Sequence, residues 1–396
     1  MKPRIGIVGS GFAGLALAIA LARKGYASSV IEKRSEQQLL GEGLFVTLAP
    51  NGMNALRGLG LAEKALTQGV ETKGLVLHNE HGRVLGDLDY RRHAQAFAAP
   101  SVTIRRGALG GILLAAARAE AVDVRFGAAV QAVTESDAEV RITTDDGVEA
   151  AFDILVAADG LRSIVRQRVM PDLPAPIFNG LQGSGGIADS PDIPATDGRM
   201  LMTFGRHAFL GYIKQENGPV YWFNTYRAAA NDRPARDADL ARLLAELHRT
   251  DPEINRRIIA AADPASLRVY PDYDMPSLPR WSTARVVLVG DAAHAVTPHS
   301  GQGASMALED ALVLAACIEA EASPAGAFQR FEDLRRDRVA AAVRLGRQGG
   351  APKKAQGWLA LRLRDLFLPL FVPLGQKAQE RLFAYRADLH PLIRPD

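Results

Sequence analysis

The sequence holds one cysteine, Cys317, among 396 residues. A lone thiol closes no internal disulfide and builds no cysteine metal cluster, so a reducing, cytoplasmic setting and no metal site are expected. Its apolar helical surroundings predict packing rather than chemistry. Charge of either sign is nearly absent as an excess: 47 basic against 44 acidic residues leave +3. No dense basic field exists, and nucleic acid is not an expected partner. Long apolar runs are also missing. None reaches the ~18 residues of a membrane span, and the nearest, Leu366 to Leu374, is broken by Pro369 and Pro373. Stable membrane insertion is therefore not expected. Basic Lys2 and Arg4 precede an apolar Leu15–Ala22 as in a secretion signal, but glycines 9, 11 and 14 stand between them. Aromatic residues make up only 6%, yet hydrophobic residues reach 47% against 23% charged, enough for a substantial core. The length predicts two or three folding units.

The chain opens on a short apolar strand, Arg4-Ile5-Gly6-Ile7-Val8, then Gly9-Ser10-Gly11-Phe12-Ala13-Gly14, then an Ala- and Leu-rich helix to Lys24. Ser28 to Glu32 gives a second strand, completing a βαβ unit. Gly9 permits the tight turn, Gly11 lets backbone approach a diphosphate, and Gly14 allows close helix–strand packing. The helix start offers free N–H groups to the phosphates. Glu32, 23 residues beyond Gly9, ends the second strand, where a carboxylate accepts from ribose hydroxyls and repels a 2′-phosphate. FAD or NAD is favoured there over NADP.

Further strands at Asp153–Ala157 and Arg285–Val289 are expected to rejoin the same sheet. Residues 171–280 are rich in Pro and Gly and carry alternating stretches such as Val220-Tyr221-Trp222-Phe223-Asn224, the pattern of antiparallel sheet. Gly74–Asn79 and Arg83–Leu88 around His81-Gly82 read as a hairpin that joins it. Helical periodicity returns at Ala238–Leu247, Ala304–Glu319, Ala327–Leu345 and in the tail. The expected fold is α/β: a Rossmann-like dinucleotide domain (1–73, 100–170 and 281–345), an inserted substrate domain on an antiparallel sheet (74–99 and 171–280), and C-terminal helices (346–396).

Two later motifs complete a pattern. Ala158-Asp159-Gly160-Leu161-Arg162-Ser163 follows one strand, and Gly290-Asp291-Ala292-Ala293-His294 follows another, continuing through Pro298-His299-Ser300-Gly301-Gln302-Gly303 into a helix. With the opening glycine motif, this order resembles the single-component FAD monooxygenases of the para-hydroxybenzoate hydroxylase type. The resemblance spans the nucleotide domain and implies FAD as cofactor, with NADH or NADPH as a transient electron donor. It implies cofactor contacts at Gly9, Gly11, Phe12, Ala13, Gly14, Glu32, Lys33, Arg106, Asp159, Gly160, Arg162, Gly290, Asp291, Pro298, Gly301, Gln302, Gly303, Ala304 and Ser305. Asp291 matches the aspartate that binds ribityl hydroxyls, and Gly301-Gln302-Gly303 the backbone beside the flavin pyrimidine edge. Ser305 stands where many relatives carry asparagine.

The implied reaction is hydroxylation of an aromatic or polycyclic small molecule with O2, through a flavin C4a-hydroperoxide that must be shielded from water. Epoxidation or Baeyer–Villiger oxygenation by the same intermediate is the nearer alternative, and a non-catalytic ligand-binding flavin fold a further one. Pro298 is expected against the reactive flavin face. Candidates for a base near the substrate are His207, Tyr212, Tyr221 and His299, and Tyr270-Pro271-Asp272-Tyr273 is a candidate cavity lining. An NAD-linked dehydrogenase would share the first motif but has no use for the other two. The tryptophan-rich signature of flavin halogenases is missing, since the tryptophans are Trp222, Trp281 and Trp358. A monomer or homodimer is expected, with the tail helix packed on the body or on a second copy.

Overall fold

The computed structural model describes residues 2–389 apart from 43, 230, 232–236, 265, 266 and 356. Its central sheet is five-stranded and wholly parallel, in the order Val286–Leu288, Ile154–Ala157, Ile5–Val8, Ser28–Glu32, Asp123–Phe126. The first strand, Ile5–Val8, is buried along its whole length. One face is covered by helices and the other by the strand Glu149–Phe152, whose Phe152 sits against Gly6, so the first strand has no solvent side and its run is uniformly apolar rather than alternating. The helix Phe12–Arg23 packs between this sheet and the helix Gly303–Ala320, itself buried from Ser305 to Ile318. Cys317 lies in that buried stretch, and burial pushes its thiol up to about 11, leaving it protonated and unreactive.

A seven-stranded sheet runs in the order Tyr270–Asp274, Ile177–Ala188, Val220–Arg227, Ala208–Lys214, Arg199–Phe204, Gly74–Asn79, Val84–Asp89. The hairpin Gly74–Asn79/Val84–Asp89 pairs in parallel with Arg199–Phe204, so the sheet is mixed rather than wholly antiparallel. That junction arises because the hairpin reaches the sheet from an earlier excursion of the chain. Alternation along the strands divides their side chains. Ala208, Leu210, Tyr212 and Trp222 face a core closed by the helices Asp237–Leu247 and Glu253–Ala260, while Phe209, Met200, Met202 and Phe223 face the other way, toward Phe45, Val70 and Leu368.

Two small three-stranded sheets were not expected. One joins Phe45–Leu48, Val102–Arg105 and Val70–Glu71, and the other Glu149–Phe152, Val140–Thr144 and Val130–Glu135. The helix Pro324–Gly350 runs unbroken through position 346, and a final helix, Trp358–Phe383, accommodates Pro369 and Pro373 internally. Leu359, Leu363, Leu366, Leu370 and Leu374 on it are exposed. No helix among the described residues is long and apolar enough to cross a membrane.

Candidate active site

Three turns at the C-terminal ends of the parallel strands open onto one cavity of about 1790 Å³. Single small-molecule sites measure ~300–1,000 Å³, so this space exceeds what one ligand of ordinary size needs. At the first turn Gly9 has φ +105°, and a Cβ there would stand 2.4 Å from the Ala158 carbonyl oxygen. A Cβ at Gly14 would meet Gly9 O at 2.0 Å, so Gly14 seats the helix on the turn. Gly11 differs: its Cβ would meet only Ala158 O, at 4.0 Å. Among the described residues nothing crowds Gly11, which lines the cavity with Phe12 and Ala13. The helix they begin has no side-chain cap, leaving its first N–H groups for whatever enters.

Glu32 lines the cavity beside Lys33 and Arg34. It accepts from Ser10 N and Ser10 Oγ at 2.8 Å each and from Arg34 N at 2.9 Å and Arg34 Nε at 3.0 Å. Burial opposes its charge, but the Arg34 and Ser10 hydrogen bonds and the Arg34 charge prevail, lowering it to about 2. Glu32 is thus a fixed carboxylate. Arg34, which the sequence reading passed over, stands next to it in the Glu32-Lys33-Arg34 run, the signal that could have found it. Arg106 also lines the cavity, with Nε 2.7 Å from Glu42 Oε1 and its guanidinium 5.2 Å from the centre of the Phe12 ring.

The second turn places Asp159, Gly160 and Arg162 on the cavity. Asp159 Oδ2 accepts from Val165 N at 3.2 Å, and burial raises its pKa. Arg162 lies 5.8 Å from the centre of the Tyr273 ring. Arg166 is buried and donates to Leu161 O and Ala292 O, tying the second turn to the third.

In the third turn Asp291, Pro298, Gly301, Gln302, Gly303 and Ala304 line the cavity. Asp291 opens to the cavity, yet the surrounding protein mass raises its carboxyl pKa by desolvation. Gly301 has φ +63° and carries the chain into the helix Gly303–Ala320, which likewise starts without a side-chain cap. Gln302 Oε1 accepts from Asn51 Nδ2 at 2.9 Å, while Gln302 Nε2 is buried with no partner among the described residues, a donor awaiting a ligand. Below the turn is a buried charge network that sequence order conceals. Asp310 accepts from Gly290 N at 2.9 Å and Arg335 Nε at 2.7 Å, with His294 Nε2 at 2.6 Å, and Arg335 also donates to Glu309 at 2.6 Å. Glu309, Asp310 and Arg335 are fully buried.

Several expected site residues lie elsewhere. Gly290 is not on the cavity; with φ +56° it packs against Ala13 and Ala307 and forms the turn. Ser305 is fully buried away from the cavity, because helix Pro50–Gly58 lies over it: a Cβ at Gly52 would stand 2.4 Å from Ser305 Oγ. His207 is exposed in the tight connection between Arg199–Phe204 and Ala208–Lys214. Strand alternation turns Tyr212 toward the far core, away from the cavity. Tyr221 is on the near side but packs edge-on against Phe45, 5.7 Å between ring centres, and does not line the cavity. Tyr270 and Asp272 do line it, as part of a strand rather than a loop, and so does His299.

The same cavity continues from these turns to the near face of the seven-stranded sheet, where Leu75, Met200, Met202, Phe204, Phe209 and Phe223 form an apolar wall. Phe367, Leu368 and Phe371 of the final helix extend that wall. A dinucleotide cradle on a parallel sheet, facing an apolar ring-sized recess, defines a dinucleotide-dependent oxidoreductase.

The comparisons agree. Residues 2–345 match the model of a family described as FAD binding domain. The chain is 30% identical over 364 residues to aurachin C monooxygenase/isomerase of Stigmatella aurantiaca, covering 90% of this chain and 92% of that protein. It is also 30% identical over 368 residues to 3-hydroxybenzoate 6-hydroxylase of Klebsiella oxytoca, covering 89% of each. Among solved structures, Klebsiella pneumoniae HpxO complexed with FAD and uric acid superposes with a TM-score of 0.85 at 23% identity, covering 96% of this chain and 97% of that one. The chain belongs to the FAD-binding family of flavoprotein aromatic hydroxylases and monooxygenases. It is an FAD-dependent monooxygenase, and NAD(P)H is the electron donor typical of its family.

Proposed function

We propose that the chain hydroxylates an aromatic or polycyclic small molecule held against the apolar wall of the seven-stranded sheet, using FAD, NADH or NADPH, and O2. One observation carries this reading: the three glycine turns and the Phe209/Phe223 wall share a single cavity. The unpartnered Gln302 Nε2, the two uncapped helix starts and the uncrowded Gly11 fit a large anionic cofactor in the cradle. Bound FAD supplies hydride acceptance from the nicotinamide and activation of O2.

Around it, the N–H groups of Gly11, Phe12 and Ala13 hold the diphosphate, with Gly9 and Gly14 shaping that turn. Glu32 would accept from ribose hydroxyls in exchange for donors of Ser10 or Arg34, which occupy its lone pairs. Lys33, Arg34 and Arg106 add positive charge. Asp291 accepts from the ribityl chain. Pro298 and the backbone from Gly301 to Ala304 would hold the flavin ring, and the uncapped positive end of helix Gly303–Ala320 would favour negative charge on it. Asp159, Gly160 and Arg162, on the same cavity, would meet the cofactor and the nicotinamide donor. The aromatic and methionine wall excludes water from the reacting ring. Relatives named for hydroxybenzoates support a hydroxylated ring as substrate, and one named for the synthesis of a hydroxyquinolone supports a bicyclic ring. We take 1–73, 100–170 and 281–345 as the cofactor unit and 74–99 with 171–280 as the substrate unit, in a cytoplasmic monomer or homodimer.

The test is NAD(P)H consumption by the FAD-loaded protein with hydroxybenzoates, quinolones and polycyclic phenols under isotopically labelled O2. A ring-hydroxylated product carrying one labelled oxygen is expected. Hydrogen peroxide as the sole oxygen product across the panel would contradict the reading, and a labelled lactone or epoxide would replace hydroxylation with the corresponding oxygenation.

A further inference from the structure

Three titratable side chains from three separate segments meet in the cavity wall: Asp272 on strand Tyr270–Asp274, His299 in the turn Pro298–Ser300, and Lys353 in the short turn Ala351–Lys354. Lys353 Nζ is 3.0 Å from His299 Nδ1, and His299 Nε2 is 2.9 Å from Asp272 Oδ2. A neutral imidazole with its proton on Nε2 has the carboxylate within ion-pair distance but outside hydrogen-bond geometry, and leaves Nδ1 to accept from Nζ. Nζ also lies over the Phe209 ring, 3.9 Å from its centre, and 5.9 Å from that of Phe223.

The chain makes room for this arrangement. A Cβ at Gly350 would stand 2.6 Å from His299 Cδ2, and one at Gly349 would stand 3.0 Å from His299 O. Both glycines are helical without a positive φ, so the imidazole and its turn, not backbone conformation, exclude larger residues there. Neighbouring charges are committed elsewhere. Lys354 Nζ donates to Asn179 O at 2.6 Å, and Arg347 pairs with Asp274. Arg364, also on the cavity, is paired with Glu80 at 3.0 Å and Asp365 at 2.7 Å. Lys353 is left with an imidazole and aromatic faces. Burial, opposed by the charge of Asp272, pulls its ammonium down to about 8, and burial with the Lys353 charge lowers His299. The neutral amine is therefore populated near neutrality.

We propose that Lys353 is the base that removes the proton from the substrate's ring hydroxyl, positioned by His299 and Asp272. The substrate O–H bond breaks and an Nζ–H bond forms. The electron pair stays on oxygen and enriches the ring carbons ortho and para to it. The new ammonium lies over Phe209 and donates to His299 and to the phenolate, with Asp272 behind the imidazole. The step consumes no oxidant or further reactant. Lys353 is a catalytic residue in this scheme; His299 and Asp272 are positioning residues.

The proposal rests on the hydroxylase reading, so its test is scored without turnover. FAD-loaded protein is titrated with 4-nitrophenol and 3-hydroxybenzoate across the neutral pH range, and ionisation of the bound phenol is read by difference absorbance. In the wild type the bound phenol should ionise at least about tenfold more readily than in water, one pKa unit. Lys353→Met should remove that shift with flavin content unchanged. Lys353→Arg, permanently charged, should still bind phenolate but lose the rise in kcat/KM as pH passes about 8. His299→Gln should lower kcat with little change in KM.

Phenols bound only in neutral form, no phenol bound by flavin-loaded wild type, or an ionisation in flavin-loaded Lys353→Met shifted as far as in the wild type would each overturn the proposal. Should Lys353→Met lose flavin, an unchanged pH profile in both Lys353→Arg and His299→Gln overturns it equally. Absence of labelled oxygen in any product speaks instead against the hydroxylase reading.

Discussion

Gly9 and Gly11 stand two residues apart in one turn under different constraints, and this separates fold from function. Gly9 combines φ +105° with a carbonyl 2.4 Å from where its Cβ would be, so Gly9→Ala should destabilise the protein itself by about 1–3 kcal/mol. Gly11 has open space within the protein, so Gly11→Ala should leave the melting temperature of the flavin-free chain unchanged and weaken FAD binding more than about tenfold, over 1.4 kcal/mol. Thermal melts with and without FAD check both; equal damage to the flavin-free fold in the two variants would contradict the assignment. These glycines were legible in the sequence because a turn's geometry is local. The Asp272–His299–Lys353 cluster was not, because its members lie on three segments that only the fold brings together. His299 could be suspected, but neither partner carried a spacing signal. Ser305 and Tyr212 misled for the converse reason: motif position and residue type do not reveal which way a side chain faces.

Helices Gly303–Ala320 and Pro324–Gly350 are joined by Arg335 with Glu309 and Asp310, beneath the turn that carries Gly290 and Gln302. Arg335→Ala takes one donor from each of two fully buried carboxylates, leaving Glu309 with Arg338 and Asn51 and Asp310 with His294 and Gly290 N, and should cost about 3 kcal/mol, read by chemical denaturation. Replacing Glu309, Asp310 and Arg335 together with apolar residues of matching volume should restore neither stability nor FAD affinity, because Gly290 N and His294 lose Asp310, Arg338 loses Glu309, and Asn51 keeps only Gln302. Recovery of both would show that the network does not position the turn. The same carboxylates set the acid limit. Asp310 is lowered from 3.8 to about 2, by His294 and Arg335 against the burial penalty, and Glu32 from 4.5 to about 2. A depressed carboxylate contributes its full stability above its unfolded pKa and loses it as pH falls through the folded value. Stability should therefore fall steeply between pH of about 4 and about 2, each group contributing on the order of 2–3 kcal/mol. Asp310→Asn should flatten that slope, and an unaltered slope would contradict it. At this scale the long helices and apolar parallel strands were legible from periodicity. The two small sheets and the helix Glu253–Ala260 were not, being too short for periodicity to register against turn-rich surroundings.

At the scale of the whole molecule, a cofactor cradle and an aromatic recess share one space. The sequence displayed the cradle in three ordered motifs, whereas the recess is drawn from four neighbouring strands, one of them from a much earlier stretch of chain, and the final helix, and has no motif of its own. Its shape follows from the sheet's alternation, which directs Met200, Met202, Phe209 and Phe223 to the same side. If both occupants share that cavity, a bound ring must perturb the flavin. Titrating FAD-loaded protein with a phenol that accelerates NAD(P)H oxidation, while recording the visible flavin band, tests this most directly. A saturable spectral shift, half-complete at the phenol concentration that half-stimulates turnover, is predicted; stimulation with an unaltered flavin spectrum would contradict it.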